Sequence, residues 1–151
     1  MLAKDARAVV GAILVMALHG CGVGNPPARE IQAQPLARLV ISDSPVYSFG
    51  ARTIGSVTEK SFTVSNAGSA PATRLEGSFH FSLHFAYPGG AYPGVGGTCG
   101  AELASAQSCV VVVAFSPRFS GTFEQPLAVT YFDGVVDTRT EYPILKARTA
   151  E

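Results

Sequence analysis

Hydrophobic and polar residues alternate with a period of two in several short segments, and turn residues separate these segments. In 59–66, Phe62 and Val64 alternate with serine and threonine, and Asn66-Ala67-Gly68 follows as a turn. Such a period places apolar side chains on one face of a strand and polar ones on the other. The same criterion predicts strands at 39–42, 46–49, 79–85, 127–131 and 138–145, and the continuous β-branched run at 109–115 predicts another. The pattern therefore predicts an all-β chain.

The composition supports one β-rich domain with many turns. The sequence has sixteen glycines, ten prolines and 15% charged residues, which suits a β-sandwich better than a helical bundle. Asp133-Gly134 is a dipeptide that β-hairpins favour. Short strands at this spacing fit an immunoglobulin-like antiparallel β-sandwich of about seven or eight strands. We assign this domain to residues 38–148.

The first twenty residues have the pattern of a bacterial secretory signal. Two basic residues precede an apolar run at 8–18, and Gly20 stands directly before Cys21. The run is too short to span a bilayer. A small residue followed by cysteine resembles the bacterial lipobox, in which the thiol is lipidated and the chain is cut before it. We predict a lipoprotein signal peptide at 1–20 and lipidation of Cys21, with ordinary secretion as the alternative.

Residues 21–37 are predicted to form a flexible tether between the lipid anchor and the domain. They contain glycine, proline, asparagine and glutamine without an apolar period, and such a segment does not bury enough surface to order itself. Its average reach is about 20 Å. Gly22 replaces the aspartate that retains some lipoproteins at the inner membrane. We therefore expect a lipid-anchored protein of the bacterial cell envelope, at the outer rather than the inner membrane.

The charge balance and the spacing of histidine, serine and lysine argue against nucleic-acid binding, a metal site and catalysis. Nine basic and ten acidic residues remain after removal of the signal, so no strong field attracts nucleic acid. On a strand, His80 and His84 would lie about 13 Å apart, which is too far to share a metal. No serine lies in G-x-S-x-G, and no lysine follows the glycine-rich stretch at 94–100. We expect no enzyme activity, cofactor, metal or nucleic acid.

Cys99 and Cys109 form an even pair once Cys21 is assigned to the anchor. Disulfides persist in the compartment that a secretory signal implies. A metal pair or two free thiols are the alternatives, but a structural zinc site needs four ligands. We therefore predict a Cys99–Cys109 disulfide.

Short groups of turn and core residues follow one another in a fixed order across residues 39–145. They are Phe49-Gly50, 62–68, Tyr92-Pro93-Gly94, Gly97-Thr98-Cys99-Gly100, Leu103, Ser108-Cys109, Phe115-Ser116-Pro117, Gly121 and 131–134. This order resembles bacterial choice-of-anchor D domains, which are similar to the immunoglobulin-like domains of the Hydin and ASPM type. The resemblance implies a structural or interaction module of exported proteins, with varied anchoring and no catalytic residues.

Two features mark candidate partner-binding residues. Tyr-Pro-Gly stands at 87–89 and again at 92–94, so Tyr87 and Tyr92 either present aromatic rings to a partner or glycan, or pack under their own loop. Val110 and Val112 fall on the outer face of the predicted strand 109–115, where the resembled domains commonly have threonine. Either a neighbouring segment covers this face or it forms an assembly patch.

Together these features predict a lipid-anchored structural or protein-interaction module of the cell envelope, without catalysis. Its partners would be the membrane, through the anchor, and an envelope or extracellular protein. The alternative is a small carbohydrate- or ligand-binding domain that uses the Tyr-Pro-Gly loop.

Overall fold

Regular structure in the described part of the chain consists entirely of β-strands. The computed structural model describes residues 33–79, 82–140 and 142–150. The predicted signal peptide, Cys21, most of the tether and His80 lie outside these residues. The strands are β1 (Leu39–Ile41), β2 (Val46–Arg52), β3 (Thr58–Asn66), β4 (Ala72–Ser78), β5 (Phe85–Ala86), β6 (Glu102–Leu103), β7 (Ser108–Phe115), β8 (Thr122–Pro126), β9 (Ala128–Phe132), β10 (Asp137–Thr140) and β11 (Ile144–Thr149). The all-β prediction is confirmed.

The strands form three hydrogen-bonded sheets. Their orders are β1-β3-β7-β5, β10-β9-β4-β6 and β2-β11-β8. Every ladder is antiparallel except the one between β2 and β11, which is parallel. Only Leu127 lies between β8, in the third sheet, and β9, in the second. The chain therefore passes directly from one sheet to the other at this residue. The described residues form eleven strands, more than the expected seven or eight, because β5 and β6 are two-residue strands and two longer segments are interrupted.

One hydrophobic core lies between the inner faces of these sheets. Phe62 and Val64 of β3 are fully buried, as their alternation predicted. An aromatic cluster fills one part of the core, where the rings of Phe85 and Phe115 have centroids 5.0 Å apart. Buried residues of the other sheets, including Val129 and Leu145, belong to the same cluster. A single core enclosed by facing sheets is the arrangement of a β-sandwich.

The predicted strand at 79–85 is wrong. β4 ends at Ser78 and β5 begins at Phe85, and the described residues between them, 79 and 82–84, form no strand. The Ser82 hydroxyl accepts a hydrogen bond from the Phe85 backbone N–H at 2.8 Å, which fixes the turn. The alternation misled because Leu83 is 65% exposed and not a core residue.

The predicted strand at 138–145 is divided into β10 and β11, which belong to different sheets. β10 pairs with β9, whereas β11 lies between β2 and β8. Pro143 stands between them in a cis peptide with Tyr142. Because proline has no N–H to donate to a ladder, it marks the point where the chain leaves one sheet and enters the other.

The two ends of the sandwich carry different segments. At one end, the Ala37 N–H donates to the Asp133 carbonyl at 2.8 Å, so the last residues of the predicted tether are attached to the folded domain. We call this the tether end. At the other end, the turn 53–57 meets the loop 116–121, and the Gly55 N–H donates to the Pro117 carbonyl at 2.9 Å. We call this the far end.

The disulfide-anchored loop and the candidate binding residues

The predicted disulfide is confirmed. Cys99 and Cys109 are joined by an S–S bond of 1.99 Å, and their Cα atoms lie 4.9 Å apart. Cys109 is buried on the core side of β7, in alternation with Val111 and Val113. The bridge therefore attaches the loop 87–99 directly to a central strand of the first sheet.

Backbone hydrogen bonds extend this attachment along the edge of β7. The Thr98 N–H donates to the Val110 carbonyl at 2.8 Å, and the Val110 N–H donates to the Thr98 hydroxyl at 2.9 Å. Further along, the Val112 N–H donates to the Pro93 carbonyl at 2.8 Å. The loop thus supplies hydrogen-bond partners to the backbone of β7 along the edge where β5 pairs only with the last residues of the strand. An edge covered in this way resists pairing with other chains.

The same loop covers the candidate assembly patch. Val112 is only 6% exposed, because the loop backbone at Gly94 lies directly against it. Val110 is half-buried. Of the two alternatives for this apolar outer face, cover by a neighbouring segment is therefore the one realised. Val112 is corrected from a candidate partner-binding residue to a packing residue under the loop.

The two tyrosines of the loop also point inwards. Tyr87 is 7% exposed and belongs to the core, and its ring lies 4.8 Å from that of Phe79 and 5.6 Å from that of Tyr92. Gly77 on β4 makes room for them, because a Cβ there would overlap both tyrosine side chains. The interpretation as loop core therefore replaces the interpretation as exposed anchors, since the Tyr87 ring is buried and the Tyr92 ring is half-buried against the core.

Burial also changes the chemistry of these two phenols. Within the described residues, neither the Tyr87 nor the Tyr92 hydroxyl has a hydrogen-bond partner. Burial raises the pKa of Tyr92 to about 12. Burial, followed by the nearby Tyr92, raises the pKa of Tyr87 still further above its ordinary value. Burial thus disfavours the ionised form of both phenols.

A surface recess of about 540 Å³ lies beside this loop. The side chains around it include Glu76, Phe79, Ser82, Tyr87 and Tyr92. Although a recess of this size is within the range of ligand pockets, the two tyrosine hydroxyls are buried. They offer no hydrogen bond to a molecule in the recess unless the loop moves. The geometry therefore does not favour the Tyr-Pro-Gly loop as a carbohydrate site.

The remaining polar candidates have structural partners. The Asp133 carboxylate accepts hydrogen bonds from the N–H groups of Val136 and Val135, both at 2.8 Å, and these bonds lower the pKa of Asp133. His84 Nδ1 accepts from the Arg118 N–H at 3.3 Å, and its ring packs 4.1 Å from that of Phe123. No group of three potential metal ligands occurs among the described residues. In the same residues, no helix is long and apolar enough to cross a membrane.

Known structures share this fold at low sequence identity. No family model matches the chain, and no curated protein matches it. A PapD-like (ASH) domain of human CEP192 is 16% identical with a TM-score of 0.56, and the match covers 87% of this chain and 98% of that domain. The Vibrio cholerae VesB protease is 21% identical with a TM-score of 0.53, and the match covers 74% of this chain and 32% of the protease. A Porphyromonas gingivalis protein of unknown function is 14% identical with a TM-score of 0.52, over 74% of this chain and 46% of that one.

These likenesses define the fold class. The chain has the fold of an immunoglobulin-like β-sandwich, which confirms the predicted fold class. The protease shares this fold over less than a third of its length, so the likeness extends to the sandwich and not to a whole enzyme.

Removal of the disulfide should weaken the domain without unfolding it. Cys99→Ala with Cys109→Ala frees a loop with a sequence separation of 10 residues, and we expect a loss of about 2 to 3 kcal/mol in the free energy of unfolding. Urea unfolding with and without a thiol reductant measures it. The wild-type curve should move to that of the double variant under reductant, whereas the double variant should not respond. A reductant-insensitive wild type would contradict the prediction.

Proposed function

We propose that this protein is a lipid-anchored, non-catalytic module of the bacterial cell envelope, similar to choice-of-anchor D domains, that serves a structural or protein-interaction role. The observation that carries the proposal is the Gly20-Cys21 pair at the end of the apolar run 8–18. A lipid on Cys21 would hold the domain at a membrane, and the absence of aspartate at Gly22 favours the outer one. The Cys99–Cys109 disulfide is consistent with an oxidising compartment.

The surroundings of the polar side chains support a role without catalysis. A hydrolytic triad needs a histidine that is hydrogen-bonded to both a nucleophile and a carboxylate. Among the described residues, His84 instead accepts a hydrogen bond from a backbone N–H, and its ring packs against those of Phe119 and Phe123. The Asp133 carboxylate instead accepts hydrogen bonds from the N–H groups of Val135 and Val136 in the adjoining turn. Because the tyrosine hydroxyls of the Tyr-Pro-Gly loop are buried, we prefer protein interaction to carbohydrate binding as the role of this module.

Substitution of the anchor cysteine tests the proposal. We expect the wild type to fractionate with membranes after export and to begin at an acylated Cys21, and Cys21→Ser to appear in the soluble fraction. One acyl chain binds membranes with a constant of only about 10⁴ M⁻¹, so firm attachment needs several. Intact-mass analysis of the mature chain measures the modification, and density-gradient separation of the membranes identifies the one that holds it.

The disulfide variant provides the matched control for this experiment. Cys99→Ala with Cys109→Ala removes the other two cysteines and should leave the protein on the membrane. An unmodified mature N-terminus in the wild type would overturn the proposal. Crosslinking in intact cells, with the Cys21→Ser protein as the reference, then identifies the protein partner.

A further inference from the structure

Large apolar side chains project from three separate segments at the far end of the sandwich. Ile54 is 50% exposed and Val57 is 63% exposed in the turn before β3, Leu83 is 65% exposed before β5, and Phe119 is 53% exposed in the loop after β7. Exposed residues of this kind are unremarkable singly, but a group of them at one place marks an interaction surface. We call these four side chains the far-end tips.

Specific contacts hold the three segments together, so the far-end tips belong to one surface. Gly55 is hydrogen-bonded to Pro117, as described above. The Ser116 N–H donates to the His84 carbonyl at 2.8 Å, and the His84 ring lies 4.5 Å from that of Phe119. The tips therefore project from a braced set of loops and not from independent ones.

The three segments that carry the far-end tips contain basic but no acidic residues. The described residues of these segments, 53–57, 82–84 and 116–121, contain no acidic residue, and Arg118 lies in one of them. Arg52 ends β2 beside the turn, and Arg148 pairs with Thr122 at the start of β8. On the adjoining strands, Glu59 is exposed, whereas Glu124 forms an ion pair with Lys146 at 3.1 Å. Among the described residues of the far end, three arginines thus outnumber one unpaired carboxylate, although the chain as a whole is neutral.

We propose that the far end is a docking surface for an anionic lipid bilayer. Apolar side chains at such a surface enter the boundary between headgroups and acyl chains, while arginines bind lipid phosphates and are attracted by the negative surface potential. A fluid bilayer accommodates apolar side chains from several loops at once, because it needs no preformed pockets that match them. The arginines supply the charge complementarity that selects an anionic surface.

This docking is compatible with an anchor at the opposite end. The nine residues of β3 extend the domain by about 30 Å between its two ends. The twelve steps from Cys21 to Ala33 reach about 40 Å when fully extended. An anchored domain can therefore lay its far end on the membrane that holds its tether, and the second contact would strengthen a lipid attachment. The docking itself does not depend on the anchor.

Vesicle co-sedimentation of the purified full chain carrying Cys21→Ser tests the docking without a contribution from the anchor. We expect binding to vesicles of phosphatidylcholine and phosphatidylglycerol at 3:1, and much weaker binding to phosphatidylcholine alone. Substitution of all four far-end tips by serine should reduce the partition coefficient at least about tenfold. With the tips intact, Arg118→Gln and higher salt should each also reduce the partition coefficient, because both weaken attraction to the anionic surface.

The tether end offers a matched control. Val135 and Val136 are 53% and 55% exposed in the hairpin turn there, and their replacement by serine should leave vesicle binding unchanged. Equal urea midpoints for both variants and the parent show that folding is intact. Equal vesicle binding by the tip and control variants, or no binding by the parent, overturns the proposal. A self-association of the parent that the tip variant loses, without vesicle binding, assigns the surface to protein contact and also overturns it.

Discussion

Asn66→Ala should lower the free energy of unfolding by about 4 kcal/mol, although Asn66 is one polar residue at the end of a strand. Its side chain is 1% exposed. Its Oδ1 accepts from the N–H groups of Arg38 and Gly68, at 3.1 and 2.9 Å. Its Nδ2 donates to the carbonyls of Ala70 and Leu103, at 2.8 and 3.1 Å. Alanine would leave four backbone groups without these partners, and each such buried group costs about 1 to 3 kcal/mol, less where water reaches it.

Two further substitutions isolate this effect in urea unfolding. Ser65→Ala removes an exposed hydrogen bond to Ser108 next to Asn66, and we expect it to change stability by less than about 0.5 kcal/mol. Asn66→Asp keeps both acceptor contacts but points a carboxylate oxygen at two carbonyls, so it should also be strongly destabilising. A loss below about 1 kcal/mol for Asn66→Ala would show that the four bonds do not hold this end of the sandwich.

The sequence could predict features that depend on the residue pattern within one strand or on an even number of cysteines. The alternation around Phe62 and Val64 correctly placed their side chains in the core, and the even pair of Cys99 and Cys109 correctly predicted the bridge. Asn66 was recognised only as part of a turn. Its partners Arg38 and Leu103 are 28 and 37 residues away, and no local pattern connects them.

Because strand β4 was missed, the sequence could not decide whether the tyrosines of the Tyr-Pro-Gly loop are exposed or packed under the loop. Ala72 and Leu75 are the buried residues of β4, and they are three positions apart because the register with β9 shifts between Thr73 and Glu76. A bulge of this kind breaks the period of two on which the prediction rested. Gly77 lies on the same strand and receives both loop tyrosines. Without β4, nothing in the sequence indicated which way the tyrosine rings point.

The far-end tips were missed for a related reason. Leu83 lies within the strand that was predicted at 79–85, whereas Ile54 and Phe119 lie between the segments that showed a period. Apolar residues in turns carry no periodic signal, so their convergence at one end depends on the topology of the sheets. The hydrogen bonds from Gly55 to Pro117 and from Ser116 to His84 make that convergence visible.

Gly68→Ala should lower the free energy of unfolding by about 3 kcal/mol, because the segment 36–38, which precedes β1, closely covers this glycine. A Cβ at Gly68 would lie 2.5 Å from the Arg38 nitrogen, 2.6 Å from the Ala37 Cα and closer still to the Leu36 carbonyl oxygen. All three are backbone atoms, so no side chain can rotate away, and overpacking of this kind costs about 1 to 3 kcal/mol or more. The segment 36–38 would have to move away from the turn.

That movement would also disturb neighbouring bonds at the tether end, which is why we expect the upper part of that range. The Ser69 N–H donates to the Leu36 carbonyl at 2.9 Å, and the Ser105 hydroxyl donates to the Gly68 carbonyl at 2.7 Å. Gly100→Ala is the matched control, since no atom lies within 4 Å of a Cβ there, and it should be neutral or slightly stabilising. Urea unfolding of both variants measures the difference. Equal stabilities would mean that the segment 36–38 separates from the turn at no cost, and it would then belong to the tether and not to the fold.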